Sequence, residues 1–222
     1  MKLTISDLYD LDHTLAAEYL RQFTYPWEAL SGIGDLIAAL GAALPAEEYD
    51  HPEEGVWVAR DAKVYPTAYL GAPCIIGHKT EVRPGAFIRG NALVGDNCVV
   101  GNSTELKNVI LFDNVQVPHY NYVGDSVLGY KAHMGAGAVT SNVKSDRTLV
   151  SVRAGDEVLE TRLKKMGAIL GDRVEVGCNS VLNPGTVIGA DSNIYPLSSV
   201  RGTVPPRCIL KSGKGTEIVE KQ

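Results

Sequence analysis

The chain has 222 residues, 45% of them hydrophobic but only 7% aromatic, so a core can form and must be built from aliphatic side chains. A formal net charge of −5, with no lysine or arginine block, argues against nucleic acid or an anionic membrane as the main partner. No stretch is apolar and long enough to span a bilayer, and the opening MKLTISDLYD is acidic where a secretory leader needs an apolar run. A cytoplasmic location is the expectation.

Residues 1–52 read as a helical segment. LDHTLAAEYLRQF (11–23) and PWEALSGIGDLIAALGAAL (26–44) carry helical spacing, and Pro26 opens the second. These helices are expected to cap or flank one end of the domain built by the residues after them. Asp10-Leu11-Asp12-His13-Thr14 is similar to the nucleophile loop of haloacid-dehalogenase phosphatases. No buried strand precedes it, and the chain has no room for that fold.

From Val58 the chain counts in sixes: Val64, Leu70, Ile76, Val82, Ile88, Val94, Val100, Leu106. Two residues before these stand Ala62, Ala68, Cys74, Thr80, Ala86, Ala92, Cys98 and Thr104, all small. The count resumes at Leu170, Val176, Leu182, Ile188, Ile194 and Val200. A period of six fits neither a helix nor an alternating strand. It fits a triangular solenoid in which each face is a short strand, the aliphatic residue points inward and the small one lets the chain turn. Periodicity does not give the hand of the coil. Two five-residue steps interrupt the count, Leu106 to Leu111 and Val123 to Leu128. The solenoid therefore spans 53–204, with a loop or hairpin excursion at 143–167 that turns at Ala154-Gly155-Asp156. Residues 205–222 read as a polar tail.

Cys74, Cys98, Cys178 and Cys208 form no CxxC pair, so neither a zinc site nor a redox motif is indicated. Cys74 and Cys98 occupy small-residue positions of the repeat and read as reduced packing residues.

The polar residues gather in one stretch: Arg83-Pro84-Gly85-Ala86, NSTELK (102–107), HYNYVGD (119–125), Gly135-Ala136-Gly137 and Asn142. Over about 56–204 the chain resembles the C-terminal acetyltransferase domain of the bifunctional bacterial N-acetylglucosamine-1-phosphate uridyltransferase. It is similar also to the matching domain of archaeal sugar-1-phosphate nucleotidylyltransferases. HxxYxGD followed by GAGxxTxN carries the likeness, and YPWEAL (25–30) looks like that family's linker.

The resemblance implies a left-handed parallel β-helix of hexapeptide repeats with N-terminal helices, assembled as a homotrimer with coenzyme A between adjacent solenoids. It implies N-acetylation of an amino-sugar 1-phosphate, glucosamine- or galactosamine-1-phosphate, by acetyl-CoA, with no metal required. His119 matches the general base and Glu105 the acid that orients it. Arg83 and Lys107 match phosphate-binding positions, and Tyr122 and Asn142 sugar-contacting ones. Ala136 and Cys178 match positions lining the acetyl-CoA site. His133 stands where the family has a sugar-binding Asn, and Thr148 where a Lys is usual.

The chemistry fits these residue types. Amine attack on a thioester needs a base that titrates near neutral pH, a property of imidazole. The developing oxyanion needs backbone donors, which Gly135-Ala136-Gly137 offers. With no GxGTR-type loop in these 222 residues, the nucleotidyltransferase half is expected to be missing and pyrophosphorylase activity with it. A γ-type carbonic anhydrase needs two zinc-binding histidines five apart, and His78, His119 and His133 lack that spacing. The non-catalytic alternative is an assembly or regulatory trimer that kept the solenoid and lost turnover.

Overall fold

The computed structural model describes residues 2–212 and 216–220. The six-residue count becomes three stacked series of short parallel strands. The first runs through Lys63–Val64, Glu81–Val82, Val99–Asn102, Gln116–His119, His133–Met134, Glu175–Val176 and Asn193–Ile194. The second runs through Tyr69–Leu70, Phe87–Ile88, the first halves of Glu105–Leu111 and Tyr122–Leu128, Val139–Thr140, Val181–Leu182 and Ser199–Val200. The third runs through Val56–Ala59, Cys74–Ile76, Ala92–Val94, the second halves of those two long strands, Ala168–Leu170, Thr186–Ile188 and Thr203–Val204.

Every counted aliphatic residue from Ile76 to Val200 lies in the prism interior and is at most 2% exposed. The small residues before them turn the corners, and the hydroxyls among them are satisfied there: Thr80 Oγ1 donates to the Gly95 carbonyl at 2.7 Å and Thr104 Oγ1 to that of Val117 at 2.9 Å. Cys74 and Cys98 are buried and free, and burial pushes the Cys74 thiol up to about 12.

The third series differs from the others in its outward side chains. Ile75, Leu93, Ile110, Val127, Ile169 and Val187 point away from the prism, yet each is no more than 1% exposed. At the same place the first series carries Lys63, Glu81, Gln116, His133 and Glu175, none of them buried. The N-terminal segment covers the apolar row. It lies lengthwise along the solenoid rather than at one end of it, which corrects the expectation of an end cap. Its start meets the late coils, where the Asp172 amide donates to Leu8 O at 3.0 Å. Its last helix, Ile33–Ala43, packs on Cys74–Ile76, Ala92–Val94 and Glu105–Leu111. There Gly41 lies so close to the Trp57 ring that no side chain fits.

Helical spacing overstated this segment. Residues 11–23 hold only a 3₁₀ turn, Leu11–His13, and the short helix Ala17–Leu20. Pro26–Gly32 is also 3₁₀ before the α-helix begins. Packing against the solenoid overrides propensity here. The start at Pro26 is well made: Glu28 Oε2 accepts from the Thr24 and Tyr25 amides at 2.9 and 2.8 Å.

The excursion is an antiparallel hairpin of Val150–Ala154 and Glu157–Leu163, turning through Gly155 at φ +64. The tail forms a second one, Cys208–Ser212 with Thr216–Glu220, paired onto Asn193–Ile194. Of the residues read as tail, 213–215 and 221–222 lie outside those described. No helix among the described residues is long and apolar enough to cross a membrane.

Candidate active site

The two five-residue steps and the excursion stack on one another at the corner between the second and third series. A five-residue step leaves no room for a separate turn, so Glu105–Leu111 and Tyr122–Leu128 run through the corner as single strands. Each bends at one left-handed residue, Asn108 at φ 56 and Asp125 at φ 49, types that tolerate that conformation. Asn142, where the chain leaves the solenoid, lies on the next coil, and its carbonyl accepts from the Met166 amide at 3.0 Å as the chain returns.

These corner residues build a polar cluster around Asp125, which is 4% exposed. Lys107 Nζ donates to both carboxylate oxygens, at 2.9 and 3.2 Å. Asn108 Nδ2 donates to Oδ1 at 3.1 Å, and Asn142 Nδ2 to Oδ2. A buried carboxylate is stable only when so surrounded. Asn142 Nδ2 also reaches the Tyr122 hydroxyl at 3.1 Å. Tyr122 lies back over Gly124, where a Cβ would strike its hydroxyl oxygen. Burial first, then the charges of Asp125 and Glu105, raise the Tyr122 phenol above its ordinary value. It stays protonated at neutral pH and keeps an O–H to donate. Asn108 Nδ2 also donates to Leu30 O at 3.0 Å, which ties the cluster to the N-terminal segment.

The other corner of the second series carries His119. It pairs with Asn102, and the same register sets Pro84 beneath Asn102 and Ala136, then Cys178, above His119. At about 4.8 Å per coil, His119 stands roughly 10 Å from the Arg83 level. The histidine is exposed, while its backbone is fixed: its amide donates to Asn121 Oδ1 at 3.1 Å and its carbonyl accepts from the Gly137 amide at 3.0 Å. Asn121, 2% exposed, donates onward to the Gly135 and Ala138 carbonyls at 2.9 and 3.0 Å. The loop that presents His119 is thereby held rigidly to the next coil.

The structure brings Lys107, Tyr122 and Asn142 together, and aligns His119, Ala136 and Cys178 in one column. Other pairings differ from those the sequence implied. Among the described residues no hydrogen bond or ion pair joins Glu105 to His119. Instead Glu105 Oε1 accepts from Arg89 at 2.7 Å. Arg83 lies 3.3 Å from Glu81 Oε2. His133 Nδ1 lies 2.7 Å from Glu175 Oε2, on the strand beside Gln116 and away from the Lys107 cluster of its own chain. Of the three proposed oxyanion donors, the Gly135 and Gly137 amides are taken by Val176 O and His119 O, at 2.7 and 3.0 Å. Only the Ala136 amide stays outside that ladder among the described residues.

Sequence reasoning missed Asp125 as the hub, and Arg89 and Asn108 as members. Coil spacing was the available signal, since Glu105 and Phe87 share a level and Arg89 therefore stacks on Lys107. No group of three or more metal-binding side chains comes together among the described residues.

The profile of the family described as the GMPPB C-terminal domain matches residues 69–189. The chain belongs to that family. Among curated relatives, a bifunctional sugar-1-phosphate nucleotidylyltransferase/acetyltransferase of Sulfurisphaera tokodaii is 31% identical over 149 residues, 67% of this chain and 37% of that protein. The bifunctional protein GlmU of Methanococcus maripaludis is 31% identical over 180 residues, 79% of this chain and 43% of that one. The chain thus spans less than half the length of these relatives. A solved hexapeptide transferase family protein from Anaplasma phagocytophilum is 16% identical, with 75% of this chain and 79% of that one covered and a TM-score of 0.43.

Proposed function

We propose that the protein transfers the acetyl group of acetyl-CoA to the amine of an amino-sugar 1-phosphate, as a homotrimer. The observation that carries this reading is the column Asn102–His119–Ala136–Cys178, which sets a rigidly presented, exposed imidazole beside an amide outside the coil-to-coil ladder. The family match and the acetyltransferase named among the relatives support it. His119 removes a proton from the attacking amine, and the Ala136 amide faces the oxyanion that forms as nitrogen adds to the thioester. Collapse of the tetrahedral adduct expels the coenzyme A thiolate and leaves the N-acetyl sugar. Arg83, beside the His119 column, and Lys107, reaching from the opposite corner of the second series, supply positive charge for the phosphate, and Tyr122 and Asn142 supply polar contacts for the sugar. The exposed corner needs a second wall to hold acetyl-CoA, and the neighbouring solenoid of a trimer provides it. No metal takes part in this chemistry.

The test is a substrate panel. Purified protein with acetyl-CoA is offered glucosamine-1-phosphate, galactosamine-1-phosphate and the free amino sugars, and thiol release is followed. Turnover on a 1-phosphate supports the reading. No turnover on any amine sugar favours the non-catalytic trimer.

Arg83→Ala is expected to raise KM for the phosphorylated sugar about tenfold with little change in kcat, because a charge contact to the phosphate holds ground and transition state alike. Equal wild-type use of the unphosphorylated sugar removes the phosphate clamp.

His133 offers a wider ring and a different donor pattern from the amide it replaces. In a trimer its contact with sugar comes from a second chain, given its distance from its own Lys107 cluster. A changed polar partner discriminates hydroxyl epimers, since a mismatched buried group is left unpaired. Wild type is therefore expected to accept galactosamine-1-phosphate, and His133→Asn to shift the kcat/KM ratio toward the gluco epimer. A wild type strict for glucosamine-1-phosphate, with an unchanged ratio in the variant, makes the Glu175 pairing its whole role.

A further inference from the structure

The excursion hairpin lies down against the last coils. Its strand Val150–Ala154 comes so close that a Cβ at Gly185 would meet the Ser151 carbonyl and one at Gly202 the Arg153 carbonyl. Both glycines have positive φ, +81 and +74, so these approaches depend on glycine twice over. Between hairpin and coils opens a cleft of about 680 Å³. Its charged lining is Lys144, Arg153 and Arg201 against the single carboxylate of Asp146. Ser151 and Asn183 add polar groups.

The two arginines are not spent on neighbouring carboxylates. Among the described residues Arg153 and Arg201 have no carboxylate partner, while Lys144 pairs with Asp146 at 3.7 Å and donates to the Leu149 carbonyl. Glu160, which faces Ser151 across the hairpin, forms no ion pair with either arginine. In a chain of net charge −5, this is a concentrated positive surface inside a concavity.

We propose that this cleft binds the diphosphate group of a small molecule. Two guanidinium forks reach it from separate elements, the hairpin strand and the turn after Ser199–Val200, and each fork matches one phosphate in bidentate fashion. One phosphate held by both forks would use a small part of the cleft, whereas a diphosphate offers a phosphate to each. The volume exceeds what a bare anion fills and lies in the range of small-molecule sites. No aromatic side chain lines it, so recognition rests on the phosphates rather than on stacking with a base. The site is separate from the His119 corner and does not rest on acyl transfer there.

The experiment titrates the full chain with inorganic pyrophosphate by calorimetry at low salt, with orthophosphate, ADP and coenzyme A as further arms. Pyrophosphate is expected to bind more tightly than orthophosphate. Arg153→Ala with Arg201→Ala is expected to weaken it at least about tenfold, the scale of a lost charge-assisted contact. Arg153→Lys with Arg201→Lys, which keeps charge and loses the forks, gives a smaller loss and serves if the alanine pair misfolds. If the losses for ADP or coenzyme A parallel that for pyrophosphate, that carrier supplies the diphosphate. No binding of pyrophosphate, or equal binding by either double variant, overturns the proposal. So does loss of binding in His119→Ala, which would put the anion at the other corner.

Discussion

His119→Ala is expected to lower acetyl transfer about 10²–10⁴-fold, the usual worth of a positioned general base. The unfolding curve is expected to stay where it was. Both expectations come from the same geometry. The imidazole is exposed and its residue is held by backbone bonds to Asn121 and Gly137, which alanine retains. Loss of the ring therefore removes a proton acceptor without opening the coil. The readout is kcat for the best amino-sugar phosphate, with urea unfolding as the control. Activity within a few-fold of wild type would take His119 out of the mechanism. Activity lost together with stability would make it structural.

Deleting residues 2–44 is expected to abolish soluble folded protein. The deletion uncovers Ile75, Leu93, Ile110, Val127, Ile169 and Val187, a contiguous apolar row on a sheet face. Covering each side chain contributes about 1.5–3 kcal/mol, and domain stability is only about 5–15 kcal/mol. Asn108 also loses the Leu30 carbonyl it bonds, so the Asp125 cluster loosens with it. Expression yield, solubility and thermal unfolding of the truncated chain read the effect. Changing the six outward residues to threonine and glutamine in the truncated chain is expected to restore solubility. A truncated chain that is soluble and unfolds at the wild-type temperature would show that the segment is an appendage.

The solenoid was legible because its rule is local: one inward aliphatic every six residues, preceded by a small residue at the corner. The covered face was legible in principle, since Ile75, Leu93, Ile110, Val127, Ile169 and Val187 stand just before counted residues in one series only. It went unread because the six-residue count looks at inward positions and not at what lies beside them. The N-terminal segment misled for a physical reason. Its spacing satisfies one flat surface, and a surface can be met by short 3₁₀ pieces as well as by a long helix. In the candidate site, residue types and the five-residue steps marked the coils on which His119 and the Lys107 cluster stand. Partner choice was not readable, because Glu105 has Arg89 in reach through coil stacking and not through sequence distance. Asp125 was hidden in a motif whose histidine and tyrosine drew the chemical argument, although its burial organises Lys107, Asn108 and Asn142.

Passage of an acetyl group from a thioester to a sugar amine at the His119 corner is the reaction proposed for this protein. Acetyl-CoA labelled in its acetyl group, incubated with wild-type protein and an amino-sugar 1-phosphate, tests it most directly. The expected result is label in an N-acetyl sugar phosphate, released thiol in equal amount, and neither with His119→Ala. Label recovered only as acetate or unreacted thioester, with every amino-sugar phosphate tried, would contradict it.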